Sequence, residues 1–354
     1  MVKVLIVDDS AFMRNALSSM LSSDPEIQIV GTARDGLEAI EKIAQLRPDI
    51  VTMDVEMPRM DGIAALKQIM ERSPVPVIMV SSITTEGAKV TLDALDLGAV
   101  DFIPKNLSEL SVNIVKIREI LIDKIKHLGR KGLPGRRFRP AERATSSSNI
   151  AEPSRPLPVR TTGERRIGIV AIGTSTGGPK ALQEIIPRLP KGFPVPIVIA
   201  QHMPPNFTGP FAERLNQLSE ITVKEATDGE ALRPGLALVA PGGGHMRVAR
   251  GRGIETVVSI STNKEEYIYR PSVDALMASV AELFPGRALG VILTGMGNDG
   301  LKGLTSLKGT GGRIFAQNEE TCVVFGMPKA VVDAGIADKV LSLEEIAGEI
   351  LNSV

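Results

Sequence analysis

Along most of this chain, short aliphatic runs alternate with stretches whose apolar positions recur at helical spacing. In residues 1–125 the runs are Val2–Val7, Ile27–Val30, Ile50–Met53, Val77–Val80 and Val100–Ile103. Helix-compatible patterns fill residues 11–22, 36–46, 62–72 and 86–97 between them. Residues 108–127 add a fifth helix, with Leu110, Ile114, Ile117, Leu121 and Ile125 on one face. Strands that interleave with helices predict an α/β fold around a parallel sheet. The rhythm restarts in residues 167–350, with runs at Ile167–Ile172, Val195–Ala200, Leu236–Ala240, Thr256–Ser261, Leu289–Thr294 and Arg313–Ala316. No internal sequence repeat is present.

Between the two halves the pattern disappears. Residues 129–166 are rich in Arg, Pro, Gly and Ser, with ten Lys/Arg against three Asp/Glu, a local net of +7. Such a segment cannot bury enough apolar surface to offset its ordering entropy and reads as a linker. A basic docking element for an acidic partner is the sharper alternative. The expected division is 1–125, a linker over 126–164 and a second domain over 165–350.

Length agrees, since 354 residues exceed one ordinary domain. Aromatics are 3% with no Trp, so the cores must be aliphatic, as buried parallel strands are. Zero net charge gives no hint of nucleic-acid binding or membrane insertion. One cysteine, Cys322, excludes an internal disulfide and a cysteine-rich zinc site. The N-terminus lacks a signal-peptide pattern, and no run approaches the roughly 18 apolar residues of a membrane span. A cytoplasmic monomer is expected.

Chemistry gathers at the ends of the strands. Asp8 and Asp9 follow the first run and Asp54 the third. Groups at the carboxyl ends of neighbouring parallel strands share one crevice. Three carboxylates there repel one another unless a cation sits among them, and an oxygen-only set suits Mg²⁺. Ser81 and Ser82 end the fourth strand, and Lys105 follows the fifth. An Asp beside a cation and a Lys can act as nucleophile and hold an acyl phosphate. The plainer alternative is that Asp8-Asp9 cap a helix and Asp54 occupies a turn.

VLIVDDSAFMR, PDIVTMDVEMPRMDG, VIMVSS and GAVDFIPK together resemble a response-regulator receiver domain, a flavodoxin-like doubly wound sheet. The resemblance implies that Asp54 is the phosphoacceptor. It implies that Asp9, Asp54 and the Glu56 carbonyl bind Mg²⁺ directly, Asp8 through water. Lys105 would contact the phosphoryl group, as would a switch hydroxyl at Ser81, with Ser82 the alternative. Phe102 occupies the position of the family's rotating aromatic. Asn106 stands where the family has Pro, so a cis peptide is not expected there.

In the second half, Ile167–Ile172 runs into Gly173-Thr174-Ser175-Thr176-Gly177, a G-x-S-x-G turn from strand to helix that can present a serine hydroxyl. The helix N-terminus behind it supplies N–H groups for an oxyanion. A phosphate-binding turn is the alternative, although the run lacks the P-loop ending. Of three histidines, His127 lies near the linker, His245 in the Gly-rich turn APGGGHM, and His202 at the end of a strand. His202 is the favoured base, with His245 the alternative. Asp299, in the turn after LGVILTG, is the candidate orienting carboxylate; a helix cap at Asn298 or Asp299 is the alternative. The order Ser, His, Asp differs from that of α/β-hydrolases.

IGTSTGGPKAL, QHMPPNFT, APGGGHM, RPSVDALM, LTGMGNDG and CVVFGMPKA resemble the catalytic domain of chemotaxis-type protein-glutamate methylesterases, a doubly wound, mostly parallel α/β domain. The resemblance implies Ser175 as nucleophile, His202 as base and Asp299 as its orienter, with the Met296 N–H and the turn at Thr176 forming the oxyanion hole. His245 and Arg270 would line the substrate groove. It further implies phosphorylation-activated demethylation of glutamate methyl esters, and deamidation of glutamines, on chemoreceptor cytoplasmic helices. A chemotaxis histidine kinase would be the phosphodonor, and the esterase would need no cofactor. A transcriptional regulator is disfavoured, because no helix-turn-helix pattern follows the first domain. A non-catalytic receptor-binding scaffold is the remaining rival.

Overall fold

The computed structural model describes residues 1–82, 84–105, 118–119, 121–130, 166–263 and 267–354. The first unit comprises β1 (Val2–Val7), α1 (Ala11–Leu21), β2 (Ile27–Ala33), α2 (Gly36–Leu46), β3 (Ile50–Asp54), α3 (Gly62–Arg72), β4 (Val77–Ser81), α4 (Thr85–Leu97), β5 (Asp101–Pro104) and a helix, α5, over 121–130. Its sheet is parallel throughout in the order β2-β1-β3-β4-β5. β3 and β4 are buried along their whole length, which accounts for continuous aliphatic runs in place of alternation. Side chains of Ser10, Asp35, Asp61 and Thr84 cap the N-termini of α1, α2, α3 and α4. Ser10 takes the α1 cap, so Asp8 and Asp9 are not spent on it.

Helix α5 continues through residue 130, so residues 126–130, expected in the linker, are helical. Ile125 and Leu128 are buried, which carries the apolar spacing past the composition change. The expectations for Asn106, for Leu110, Ile114 and Ile117, and for the linker from 131 onward lie outside the described residues.

The second unit comprises β6 (Ile169–Thr174), α6 (Gly178–Ile185), β7 (Ile197–Gln201), α7 (Thr208–Leu218), β8 (Thr222–Glu225), β9 (Leu236–Val239), β10 (His245–Arg250), β11 (Thr256–Ser261), α8 (Val273–Leu283), β12 (Ala288–Ile292), α9 (Leu301–Gly309), β13 (Arg313–Gln317), α10 (Met327–Asp333), β14 (Lys339–Leu341) and α11 (Leu343–Ser353). Its main sheet is parallel in the order β14-β13-β12-β6-β7-β9-β8. β10 and β11 form a separate antiparallel pair. Three strands have no counterpart in the aliphatic pattern. β8 and β14 are short edge strands with exposed Lys residues, and β10 carries His and Arg. His245 is therefore a fully buried strand residue, not the turn residue expected.

The topology places β6, β7 and β12 side by side at the centre of the sheet, and the turns that follow all three emerge at the same edge. No described helix is long and apolar enough to cross a membrane.

Candidate active site and phosphoacceptor crevice

Ser175 follows β6 on a turn built by two glycines. A Cβ on Gly173 would lie 2.2 Å from a Val273 methyl, so glycine there lets α8 approach the sheet. Gly177 has φ +77°, and a Cβ would also meet Val323 at 2.6 Å. Helix α6 begins at Gly178, directly behind the serine. The Ser175 N–H donates to the Thr294 carbonyl at 3.1 Å, which ties the Ser175 turn to the loop after β12. Among the described residues, the N–H groups of Thr176 and Met296 donate to no acceptor.

β6 and β7 pair with Thr174 opposite Gln201, so Ser175 and His202 leave the sheet side by side. The His202 N–H donates to the Thr174 carbonyl at 3.1 Å. Gln201 is buried, and its amide donates to the carbonyls of both Ser175 (2.9 Å) and His202 (3.1 Å). This glutamine staples the two main chains, a role not foreseen because a polar residue in the run IVIAQ reads as a strand end.

The His202 ring bonds through Nε2 to Asp299 Oδ2 at 2.8 Å. Asp299 is buried, and its oxygens also accept from the Val273 N–H (2.7 Å), the Asp274 N–H (3.0 Å) and the Ser272 hydroxyl (3.0 Å). It caps no helix of its own: α9 starts from Gly300, and Asp299 reaches across to the N-terminus of α8. Burial pushes its carboxyl up, but the His202 hydrogen bond and charge, with those backbone N–H groups, outweigh burial and hold it below the usual value. With Nε2 donating to Asp299, the lone pair sits on Nδ1, which is buried and has no hydrogen-bond partner among the described residues. The alternative base, His245, packs instead against the Tyr267 ring at 5.2 Å between centroids.

In the first unit, the carboxylate oxygens of Asp8, Asp9 and Asp54 converge within 4.8 Å of one another. Asp8 and Asp54 are buried, while Asp9 is exposed. Lys105 Nζ lies 3.0 Å from Asp8 Oδ2 and 2.5 Å from Asp54 Oδ2. Burial, with the Asp8 charge adding to it, pushes Asp54 up to about 6 against the pull of Lys105. Among the described residues, no donor other than Lys105 reaches those two oxygens. Two buried carboxylate oxygens met only by Lys105, with the exposed Asp9 carboxylate beside them, fit a hard divalent cation. The Glu56 N–H donates to Asp54 Oδ1 at 3.3 Å. The Ser81 hydroxyl accepts from Thr91 Oγ1 at 2.7 Å and donates toward the Gly87 carbonyl, so α4 engages it. Ser82 pairs with Thr84.

The two units meet across an interface to which the first contributes α4, β5 and α5. Phe102 stacks on Phe207, with centroids 4.5 Å apart and rings 12° from parallel. Asp101 Oδ2 accepts from the hydroxyl of Thr176, the residue after Ser175, at 2.9 Å. It also pairs with Lys124 of α5 at 2.5 Å. Arg214 of α7 pairs with Asp93 at 2.7 Å and with Asp96 of α4. Met296, Val323 and Val324 belong to the same apolar cluster as Leu121, Ile122 and Ile125 of α5. A largely apolar cavity of about 260 Å³ remains between Val100, Gly177, Pro179 and Val323.

The family profile for CheB methylesterase matches residues 170–350, and that for the response regulator receiver domain matches residues 4–114. A protein-glutamate methylesterase/protein-glutamine glutaminase of Oleidesulfovibrio alaskensis is 52% identical, covering all of both chains. Its counterpart in Geobacter sulfurreducens is 48% identical over 99% of this chain and 96% of its own. The crystal structure of the Thermotoga maritima CheB methylesterase catalytic domain superposes with a TM-score of 0.52 and 46% identity, covering 54% of this chain and all of that one. A catalytic-domain match in residues 170–350, a receiver match ahead of it and full-length relatives near 50% identity agree: the chain belongs to the CheB methylesterase family.

Proposed function

We propose that this protein is a phosphorylation-controlled serine hydrolase that demethylates glutamate methyl esters, and deamidates glutamines, on chemoreceptors. The observation that carries the reading is the His202–Asp299 pair at the sheet edge where Ser175 emerges. Ser175 Oγ attacks the side-chain ester carbonyl carbon while His202 Nδ1 takes its proton. The imidazolium, held by Asp299 through Nε2, returns that proton to the departing methoxide, and methanol leaves. Water, deprotonated by the same nitrogen, attacks the acyl-enzyme and releases the glutamate side chain and free Ser175. Glutamine follows the same path with ammonia leaving. The N–H groups of Thr176 and Met296 receive the oxyanion; the Ser175 N–H is already given to Thr294.

Control runs through the first unit. Asp54 accepts the phosphoryl group from a chemotaxis histidine kinase, with Lys105 and the Ser81 hydroxyl as contacts. Asp8, Asp9, Asp54 and the Glu56 carbonyl would hold Mg²⁺, which when bound would offset the charge of the incoming group. Turning Ser81 toward Asp54 breaks its bond to Thr91, and α4 carries Thr91 on one face and Asp93 and Asp96 toward α7. Phosphorylation thereby favours the state in which the receiver leaves the triad.

Ser175→Ala is expected to abolish hydrolysis of a methylated chemoreceptor by several orders of magnitude. Near-normal activity overturns the esterase reading. A fluorophosphonate that labels the wild-type chain but not Ser175→Ala separates an enzyme from a receptor-binding scaffold.

A further inference from the structure

His202 is held on its edge by Asp299 and on its face by an aromatic ring outside the triad. The Tyr269 ring lies parallel to the imidazole, with centroids 4.3 Å apart and an interplanar angle of 11°. Asp299 fixes one point of the imidazole, about which the ring can still tilt, whereas a parallel neighbour fixes its plane. The Tyr269 hydroxyl lies only 3.4 Å from where a Cβ on Gly297 would stand. Gly297 follows Met296 and has φ +81°, so the tyrosine spans from the base to the loop that carries the Met296 N–H. We propose that Tyr269 is a positioning residue for this reaction, holding the His202 plane so that Nδ1 faces Ser175, and supplying a π face to the imidazolium formed in the transition state.

The physics favours the transition state over the ground state. A cation over an aromatic face is attracted by the ring quadrupole, whereas a neutral imidazole gains little. The ring therefore contributes when His202 has taken the proton, which puts its effect on kcat and not on KM. The hydroxyl is dispensable for this role and the ring is not. Phenylalanine serves equally well; leucine fills the space without the π face.

This inference rests on the esterase reading above, and the test separates the two. The full chain, activated with a small-molecule phosphodonor, is compared as wild type, Tyr269→Phe, Tyr269→Leu, Asp299→Asn and Tyr269→Leu/Asp299→Asn. The readouts are the rate of fluorophosphonate labelling at Ser175, and kcat and KM on a methylated receptor. Tyr269→Phe is expected to match wild type. Tyr269→Leu is expected to lose about tenfold in kcat and labelling rate with KM unchanged. Both residues act on one imidazole, so the double variant is expected to lose far less than the product of the single losses. A Tyr269→Leu rate equal to wild type, a Tyr269→Phe loss as large as that of leucine, or fully multiplicative losses each overturn the proposal. Wild type that does not label overturns the esterase reading and this inference with it; wild type that labels while Tyr269→Leu is unchanged overturns this inference alone.

Discussion

At the scale of single residues, Asp299 carries a proposed part in the chemistry and an observed part in the fold. It accepts from His202 and from the N-terminus of α8, where a negative charge is favoured by the helix dipole. Asp299→Asn is expected to lower kcat by roughly 10³–10⁴-fold, measured on a methylated receptor. Its pKa is depressed in the folded state, so the stability it contributes is complete above the ordinary value of 3.8 and is lost as pH falls through the lower folded value. Asp299→Asn should therefore flatten the acid end of the stability curve while lowering stability near neutrality, a pattern that denaturant titrations at pH 3 and pH 7 would check. The candidate residues Ser175, His202 and Asp299 were legible because each lies in the turn that follows an aliphatic run at one sheet edge. Tyr269 was not. It lies in an irregular segment before α8, and its contact with a ring 67 positions away leaves no local pattern. The available signal was compositional, since Tyr267 and Tyr269 are the only tyrosines of the chain.

At the scale of elements, α4 joins the two sites. Thr91 faces Ser81, and Asp93 and Asp96 reach Arg214 on α7. Those ion pairs are partly exposed and worth little each. Their removal should matter less than their reversal, which sets like charges face to face. Arg214→Glu is expected to raise the hydrolysis rate of the unphosphorylated chain several-fold, and Arg214→Glu with Asp93→Lys and Asp96→Lys to return it toward wild type. An unchanged basal rate in Arg214→Glu would remove α4–α7 from the control surface. Helix periodicity predicted α4 within a residue or two, yet which face meets another domain is a tertiary property. Asp93 and Asp96 read as an ordinary solvated face. The edge strands β8 and β14 were illegible for a related reason: half-exposed and charged, they lack the aliphatic signature of buried parallel strands.

At the scale of the whole molecule, two sheets present their carboxyl edges to different tasks and communicate through one interface. Its contacts include a stacked aromatic pair, a hydrogen bond to the residue beside Ser175 and a cavity of about 260 Å³. Unfilled space forfeits dispersion contacts, so the interface costs less to open than a packed core would. Chelating divalent cations is expected to abolish the response to a phosphodonor while leaving basal hydrolysis intact, and Asp54→Asn to do the same without chelation. Loss of basal hydrolysis on chelation would place a metal requirement in the esterase itself.

The parallel ring on His202 has an optical consequence. The chain has no Trp, and both its tyrosines lie within three positions of each other, one over His202 and the other beside His245. All of its tyrosine emission therefore originates from two rings packed against His202 and His245. Receiver residue Asp123 lies near enough for its charge to add to the burial that raises the Tyr269 phenol. Unlabelled wild-type protein should thus report receiver departure as a change in ultraviolet emission on adding a phosphodonor, and Asp54→Asn should stay dark to it. A silent wild type would mean that the aromatic pair keeps its surroundings in both states, and that the receiver controls access from another side.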